Sequence, residues 1–227
     1  MEIKNQQYCI GGIPLLNIAE KYGSPDVKMK IKYATKALSN INILKLMKKA
    51  GTGVDAVSIE EVKLCLHVGF SPEEIMYTPN CVDFEEIKEA VAYGVMVNID
   101  SIPMLEHFGT EYGNDVPICI RLNPHILAGG NAKISVGHID SKLAFLDFGG
   151  GFKVAYKNGD ITTDIQDVGK KVSAAFKKFC KEYGRELEIW FEPGKFLVSE
   201  CGYLLTKANV VKPTPATTFV GVNSGLN

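Results

Sequence analysis

One tryptophan and four histidines occur among the 227 residues, and the formal net charge is −1. So even a balance leaves no cationic surplus for a polyanion, and no nucleic-acid partner is indicated. The local lysine groups Lys45-Lys48-Lys49 and Lys177-Lys178-Lys181 have helical spacing and read as solvated helix faces. No stretch approaches the ~20 apolar residues a membrane helix needs. Glu2, Lys4 and Asn5 come early, and no apolar run of leader length follows. The six cysteines form no CxxC pair and none sits at metal-ligand spacing from a histidine. They read as reduced thiols of a cytoplasmic protein with no metal site and no membrane partner.

What is present is an alternation of short apolar strands and amphipathic helices. Met29 to Ala34 reads as a strand, followed by a helix through Ile43, Leu44, Leu46 and Met47. Val54 to Ser58 is the next strand, and Ser58 with Glu61 forms a capping-box pattern before Val62, Leu64, Cys65 and Leu66. Ile75 to Thr78 is a third strand, and Asp83 with Glu86 repeats the capping signature. Val95 to Ile99, a short helix from Ile102 to Phe108, and Ile118 to Leu122 continue the series. A long helix from Asp164 to Tyr183 ends on Gly184, and Glu188 to Phe191 is the last strand of the set. Alternation of this kind gives a parallel sheet with right-handed crossovers. The regular period and the lack of GxGxxG after the first strand favour an α/β fold of the (β/α)8-barrel type over a dinucleotide-binding sheet.

Two seams interrupt the pattern. At Pro25-Asp26 a helix through Leu15, Ile18 and Tyr22 meets the first barrel strand abruptly. At Phe145-Leu146 two strand-like segments, Ser141 to Phe145 and Leu146 to Phe152, abut with no crossover between them. The barrel, over residues 1–200, is therefore expected to be incomplete. Tyr203 to Lys212 alternates like an antiparallel strand and reads as the first strand of a C-terminal β domain over 201–227, truncated here.

A barrel carries its chemistry at the C-terminal ends of its strands. Lys36 stands at such an end, two residues beyond Ala34, and desolvation at an apolar mouth would lower its pKa toward a nucleophilic amine. An isolated lysine at a strand end is ordinarily solvated, so its neighbours decide. Gly149-Gly150-Gly151 offers backbone N–H groups that can close around a phosphate, or a plain tight turn. Glu192-Pro193-Gly194-Lys195 ends the last strand with a carboxylate suited to a protonated ring nitrogen, or forms a surface loop. Asp55 and Arg121 either flank such a ring or pair with neighbouring barrel charges. His125 and His138 read as loop histidines.

Tyr33-Ala34-Thr35-Lys36-Ala37, Asp55-Ala56-Val57-Ser58, Arg121-Leu122-Asn123-Pro124, Ser141-Lys142, Gly149-Gly150-Gly151-Phe152 and Glu192-Pro193-Gly194-Lys195 occur in this order. In this the chain, from Gly12 to Asn227, resembles the alanine-racemase-like, fold-type III pyridoxal-phosphate decarboxylases, and among them the diaminopimelate decarboxylases. The resemblance implies pyridoxal 5'-phosphate as cofactor, a small amino acid as substrate, and a homodimer. It implies that Lys36 attaches the cofactor, that Gly149, Gly150 and Gly151 bind its phosphate, and that Glu192 faces its ring nitrogen. Asp55 and Arg121 would flank the ring, Gly194 belongs to the same loop as Glu192, and Lys142 resembles a dimer-interface lysine. Lys195 stands where many members have arginine, keeping the charge without the bidentate fork.

The chain also departs from that pattern. A His-x-Gly-Ser segment whose histidine stacks on the cofactor is missing at the second seam, and a strand–helix piece after Gly23-Ser24-Pro25 is missing at the first. Leu143-Ala144 replaces Phe-Gly, and Asn223 stands where relatives commonly have Asp. The expected activity is decarboxylation of meso-2,6-diaminopimelate to L-lysine and carbon dioxide, with little turnover by this chain alone. The competing readings are a cofactor-binding barrel without turnover and an inactive decarboxylase fragment.

Overall fold

In a computed structural model, residues 27–121, 143–202 and 206–224 are described. The first seam and the helix expected through Leu15, Ile18 and Tyr22 lie outside them. So do Asn123, Pro124, His125, His138, Ser141, Lys142 and Tyr203 to Leu205.

Among the described residues nine strands and six α-helices, beside two short 3-10 turns, are present, and those up to β7 keep the alternation read from the sequence. They are β1 (Met29–Ala34), α1 (Ile41–Lys49), β2 (Gly53–Ala56), α2 (Ile59–Val68), β3 (Ile75–Tyr77), α3 (Phe84–Ala92), β4 (Met96–Ile99), α4 (Ile102–Tyr112), β5 (Ile118–Ile120), β6 (Phe145–Asp147), α5 (Ile165–Tyr183), β7 (Glu188–Phe191), α6 (Lys195–Val198), β8 (Ala208–Pro213) and β9 (Thr218–Val222). The helix expected to end at Phe108 runs a turn further, to Tyr112.

Strands β1 to β7 form one seven-stranded sheet in the order β5-β4-β3-β2-β1-β7-β6. Every pairing in it is parallel. The result is a curled, open sheet carrying helices: an incomplete α/β barrel. Among the described residues, β6 crosses the second seam and pairs continuously with β7 from Phe145 opposite Glu188 to Asp147 opposite Trp190. The tail holds a hairpin, in which β8 pairs antiparallel with β9 in a sheet of its own.

Local chemistry sets the helix ends. Ser58 accepts from the Glu61 N–H at 3.2 Å and Asp83 from the Glu86 N–H at 3.2 Å, each satisfying an orphan donor of the first turn. The reciprocal half of each expected capping box is absent. Glu61 instead accepts from Val57 N–H (2.8 Å) and Thr35 Oγ1 (2.6 Å), and Glu86 accepts from Tyr77 Oη (3.1 Å). A tertiary partner outcompetes the local one in both cases. Asp164 caps α5 at its start, and Gly184, with φ +78°, ends it in the left-handed conformation glycine favours.

Alternate strand residues face opposite sides of the sheet. Tyr33, Val54, Ala56, Tyr77, Val97 and Ile99 point outward into the main core, where Leu44, Val62 and Ile87 cover them from the helices. The other set points inward, and at the base of the sheet it is aromatic and charged. Phe145 stacks on Trp190, with ring centroids 3.7 Å apart. Lys32 is buried there and donates to the carbonyls of Glu73 (3.2 Å) and Glu74 (3.0 Å), its ammonium 4.8 Å from the Trp190 ring centroid. Lys32 pairs in register with Gly53. A Cβ on Gly53 would meet the Glu74 carbonyl at 2.5 Å and Lys32 Cδ at 2.7 Å. Gly53→Ala is therefore expected to cost about 1–3 kcal/mol by overpacking, read as a lower urea midpoint with an unchanged slope.

Candidate functional site

Above that floor, the inward residues at the C-terminal strand ends are Asp55, Thr78, Asn98, Cys119, Asp147 and Glu192. Asp55 is fully buried, and Thr78 and Asn98 are nearly so. Both oxygens of Asp55, Thr78 Oγ1, Asn98 Oδ1 and Asp147 Oδ2 have no hydrogen-bond partner. Unsatisfied buried acceptors are costly, so five of them around one mouth mark a place built for a polar ligand.

Lys36 leaves β1 in a short 3-10 turn, Thr35–Ala37. The turn is fixed from below by fully buried Thr35, whose hydroxyl donates to the Glu61 carboxylate, and from the side by the Ala34 N–H donating to Pro193 O at 3.2 Å. Lys36 itself is exposed. The strand alternation used to orient it stops at Ala34, and the burial expected for it falls on Lys32. Burial, and then the neighbouring Lys30, pulls Lys32 down to about 8. Lys36 acts instead as a cation at the mouth, favouring the ionised forms of Asp55 and Glu192.

The three carboxyl groups are pushed the other way. Burial raises Asp55 to about 6, against the Thr78 hydroxyl and Lys36. Burial first, then the charges of Asp55 and Asp147, raises Glu192 from its ordinary 4.5 to about 8. Asp147 is also raised by burial, with Gly149 and Lys32 opposing. Cys119, on β5, is lifted to about 12 by burial and by Asp147 and Glu192.

The sign of the resulting pH dependence follows. Between roughly pH 4 and 8 the folded chain holds protons that the unfolded chain has released, so stability without a ligand falls as pH rises. Above about pH 9 the folded chain also keeps the Cys65 and Cys119 thiol protons that the unfolded chain releases, which outweighs the single Lys32 proton acting in the opposite sense. Urea midpoints are thus expected to decline from pH 4 to 8, by at most about 1.4 kcal/mol per pH unit per proton, with no recovery at alkaline pH. Glu192→Gln should flatten the decline; an unchanged slope would contradict this electrostatic picture.

The glycine run closes the mouth on the β6 side. Gly149 has φ +69°, its N–H donates to Asp147 Oδ1 (2.8 Å), and its carbonyl accepts from the Glu192 N–H (2.8 Å). Gly150 lies against the Glu192 carbonyl, where a Cβ would overlap it. A Cβ on Gly151, by contrast, would meet open space, so only part of the run excludes side chains. Gly194 abuts Ala34 and Ala37, with a Cβ falling 3.1 and 3.0 Å from theirs. Lys195 is exposed, donates to Tyr156 Oη at 2.6 Å, and lies 5.1 Å from that ring's centroid. Arg121 follows β5, exposed, its N–H bonded to Ile99 O at 2.8 Å.

Lys36, Asp55, Gly149, Gly150, Glu192 and Gly194 thus converge at one end of the sheet. Sequence reasoning missed Asp147 and Asn98, although both obey the inward alternation of their strands. A buried polar residue inside an otherwise apolar strand is the signal that would have found them. An apolar cavity of about 230 Å³ lies elsewhere, between α5 and the outward residues Met29, Ile31, Ile189 and Phe191.

Comparison with known proteins agrees with this geometry. The family model described as "Pyridoxal-dependent decarboxylase, pyridoxal binding domain" matches residues 16–144 and 138–199. The diaminopimelate decarboxylase of Methanothermobacter thermautotrophicus is 26% identical over 96% of this chain and 70% of its own length. That of Buchnera aphidicola subsp. Acyrthosiphon pisum is 29% identical over 87% of this chain and 60% of its own. The chain thus spans about two thirds of the length of these relatives. The crystal structure of diaminopimelate decarboxylase from Helicobacter pylori complexed with L-lysine superposes with a TM-score of 0.72 at 24% identity, over 93% of this chain and 68% of that one. A matching family model over most of the chain and a mouth of unpartnered polar groups at the strand ends lead to one conclusion: this chain belongs to the pyridoxal-dependent decarboxylases, through their pyridoxal-binding domain.

Proposed function

We propose that this chain provides the pyridoxal-phosphate site for decarboxylation of meso-2,6-diaminopimelate to L-lysine and carbon dioxide. The observation that carries the cofactor site is the convergence of Lys36, the unpartnered Asp55 carboxyl and Glu192 beside the Gly149–Gly151 turn. The substrate follows from the family relatives, which bear that activity in their names.

Bound there, pyridoxal phosphate supplies a ring that accepts the electron pair left when carbon dioxide departs. Lys36 supplies the primary amine for covalent attachment, held in place by the Thr35–Glu61 hydrogen bond. Glu192, once ionised, keeps a proton on the ring nitrogen. In the Gly149–Gly151 turn, the backbone N–H groups of Gly150 and Gly151, with Lys195, receive the phosphate, while the Gly149 N–H stays on Asp147 Oδ1 and shapes the turn. Asp55 and Arg121 flank the ring, and Gly194 lets the Glu192 loop close onto Ala34. The substrate is a small amino acid, and a homodimer in the cytoplasm is the expected setting. Free thiols at Cys65, Cys81, Cys119, Cys180 and Cys201 suit a reducing compartment.

Carbon dioxide release in the presence of pyridoxal phosphate tests the substrate. Release from meso-diaminopimelate, slow but at least tenfold above that from L-ornithine or L-arginine, is expected. Preference for either of those would reassign the substrate, and no release from any, with cofactor attached at Lys36, would favour a binding protein without turnover.

A further inference from the structure

The cofactor reading leaves one half-buried acid without a task. Asp147 ends β6, opposite Trp190 on β7, and its side chain follows Phe145 on the inward face. Its two oxygens do different things. Oδ1 accepts the Gly149 N–H at 2.8 Å, which holds the first glycine of the run in its left-handed conformation. Oδ2 is shut off from solvent and takes no backbone donor, and the Asp147 and Glu192 carboxyl groups act directly on one another. The Gly149 carbonyl in turn accepts from the Glu192 N–H at 2.8 Å, closing a ring of contacts from Asp147 through the glycine turn to Glu192 and back.

We propose that Asp147 is a positioning residue that couples the phosphate-facing glycine turn to the carboxyl facing the ring nitrogen, holding Gly149 by one oxygen and sharing a proton with Glu192 through the other. This rests on the cofactor reading above. Two carboxyl groups side by side in a buried place do not both ionise readily, so one proton stays with the pair. The groups facing the pair from the other elements are Lys32 and Lys36 from β1 and its turn, Asp55 from β2 and Cys119 from β5. Toward a bound pyridoxal ring the pair would supply one proton: the proton held by Asp147 and Glu192 would move to a neutral ring nitrogen, leaving the pair anionic and the nitrogen cationic with no proton taken from solvent. One side chain thereby sets both ends of the ligand, the phosphate through backbone geometry and the nitrogen through the proton.

The two roles separate by substitution. Asp147→Asn keeps an oxygen for the Gly149 N–H but shares no ionisable proton, whereas Asp147→Ala loses both. Pyridoxal phosphate titrations from pH 5 to 9 on the full chain read the difference. Asp147→Ala is expected to bind at least tenfold more weakly than wild type. Asp147→Asn should bind within threefold at the optimum, with its pH profile displaced by about a unit to lower pH, because Glu192 has lost its anionic neighbour. Binding by Asp147→Ala within twofold of wild type, or an unshifted profile in Asp147→Asn, would overturn the proposal. If Asp147→Ala does not fold, Asp147→Asn alone decides it. If wild type takes up no cofactor, the cofactor reading fails separately. The coupling is then judged by the urea midpoint of the ligand-free proteins, whose fall between pH 5 and 8 must be shallower in Asp147→Asn than in wild type.

Discussion

The Lys36→Arg protein is expected to fold as the wild type does and to hold no covalent cofactor. Lys36 is exposed and makes no contact the core depends on, so its stability should change by no more than about 0.5 kcal/mol. Arginine keeps the positive charge that opposes proton uptake by Asp55 and Glu192, but it is never deprotonated and offers no nucleophilic amine. Substitution by arginine thus removes the chemistry and leaves the electrostatics. Lys36→Ala removes both, and its ligand-free stability should fall more steeply between pH 5 and 8 than that of Lys36→Arg. Reduction with borohydride in the presence of pyridoxal phosphate, read by intact mass, should give a pyridoxyl adduct in wild type and none in either variant. Residual noncovalent binding through the glycine turn is compatible with the account; a stoichiometric adduct in Lys36→Arg is not.

The second large effect is expected at Gly150. A Cβ there would coincide with the Glu192 carbonyl, which is backbone and cannot swing aside. Gly150→Ala must therefore separate β6 from the loop after β7, displacing the Gly149–Glu192 hydrogen bond with it. A loss of about 3 kcal/mol, at the upper end of overpacking, is expected in urea unfolding. Affinity for pyridoxal phosphate should fall at least tenfold, equivalent to about 1.4 kcal/mol. Gly151→Ala is the internal control, since a Cβ there meets nothing within 4 Å. It should be neutral or stabilise by up to about 1 kcal/mol through the unfolded chain. Equal behaviour of the two variants would mean that the close approach of the two backbones does not hold in solution.

The sheet was legible because its strands and helices announce themselves locally. Ser58, Asp83 and Gly184 mark helix ends by chemistry confined to one turn, and each does so in the structure. Glu61 and Glu86 were misread because their partners, Thr35 and Tyr77, are remote in sequence. The hairpin strand Thr218–Val222 escaped because it is short, contains Gly221 and follows Thr214-Pro215, which reads only as a turn.

The site was legible in its motifs and less so in its electrostatics. Lys36, Glu192 and the glycine run carry a pattern that survives translation into geometry. Burial does not travel with a motif. Lys32, placed in Lys30-Ile31-Lys32 where a strand would ordinarily show lysines to solvent, is the buried amine, while Lys36 lies open at the mouth. Asp147 went unnoticed for the same reason: its significance comes from Gly149 and Glu192 across the sheet, not from its own neighbours in sequence.

The most direct measurement is the location of the borohydride-fixed pyridoxyl group in the wild-type chain, found by peptide mapping after incubation with pyridoxal phosphate. One group per chain, on Lys36, is the predicted result. A group on Lys32, label scattered over surface lysines, or no label at saturating cofactor would contradict the account.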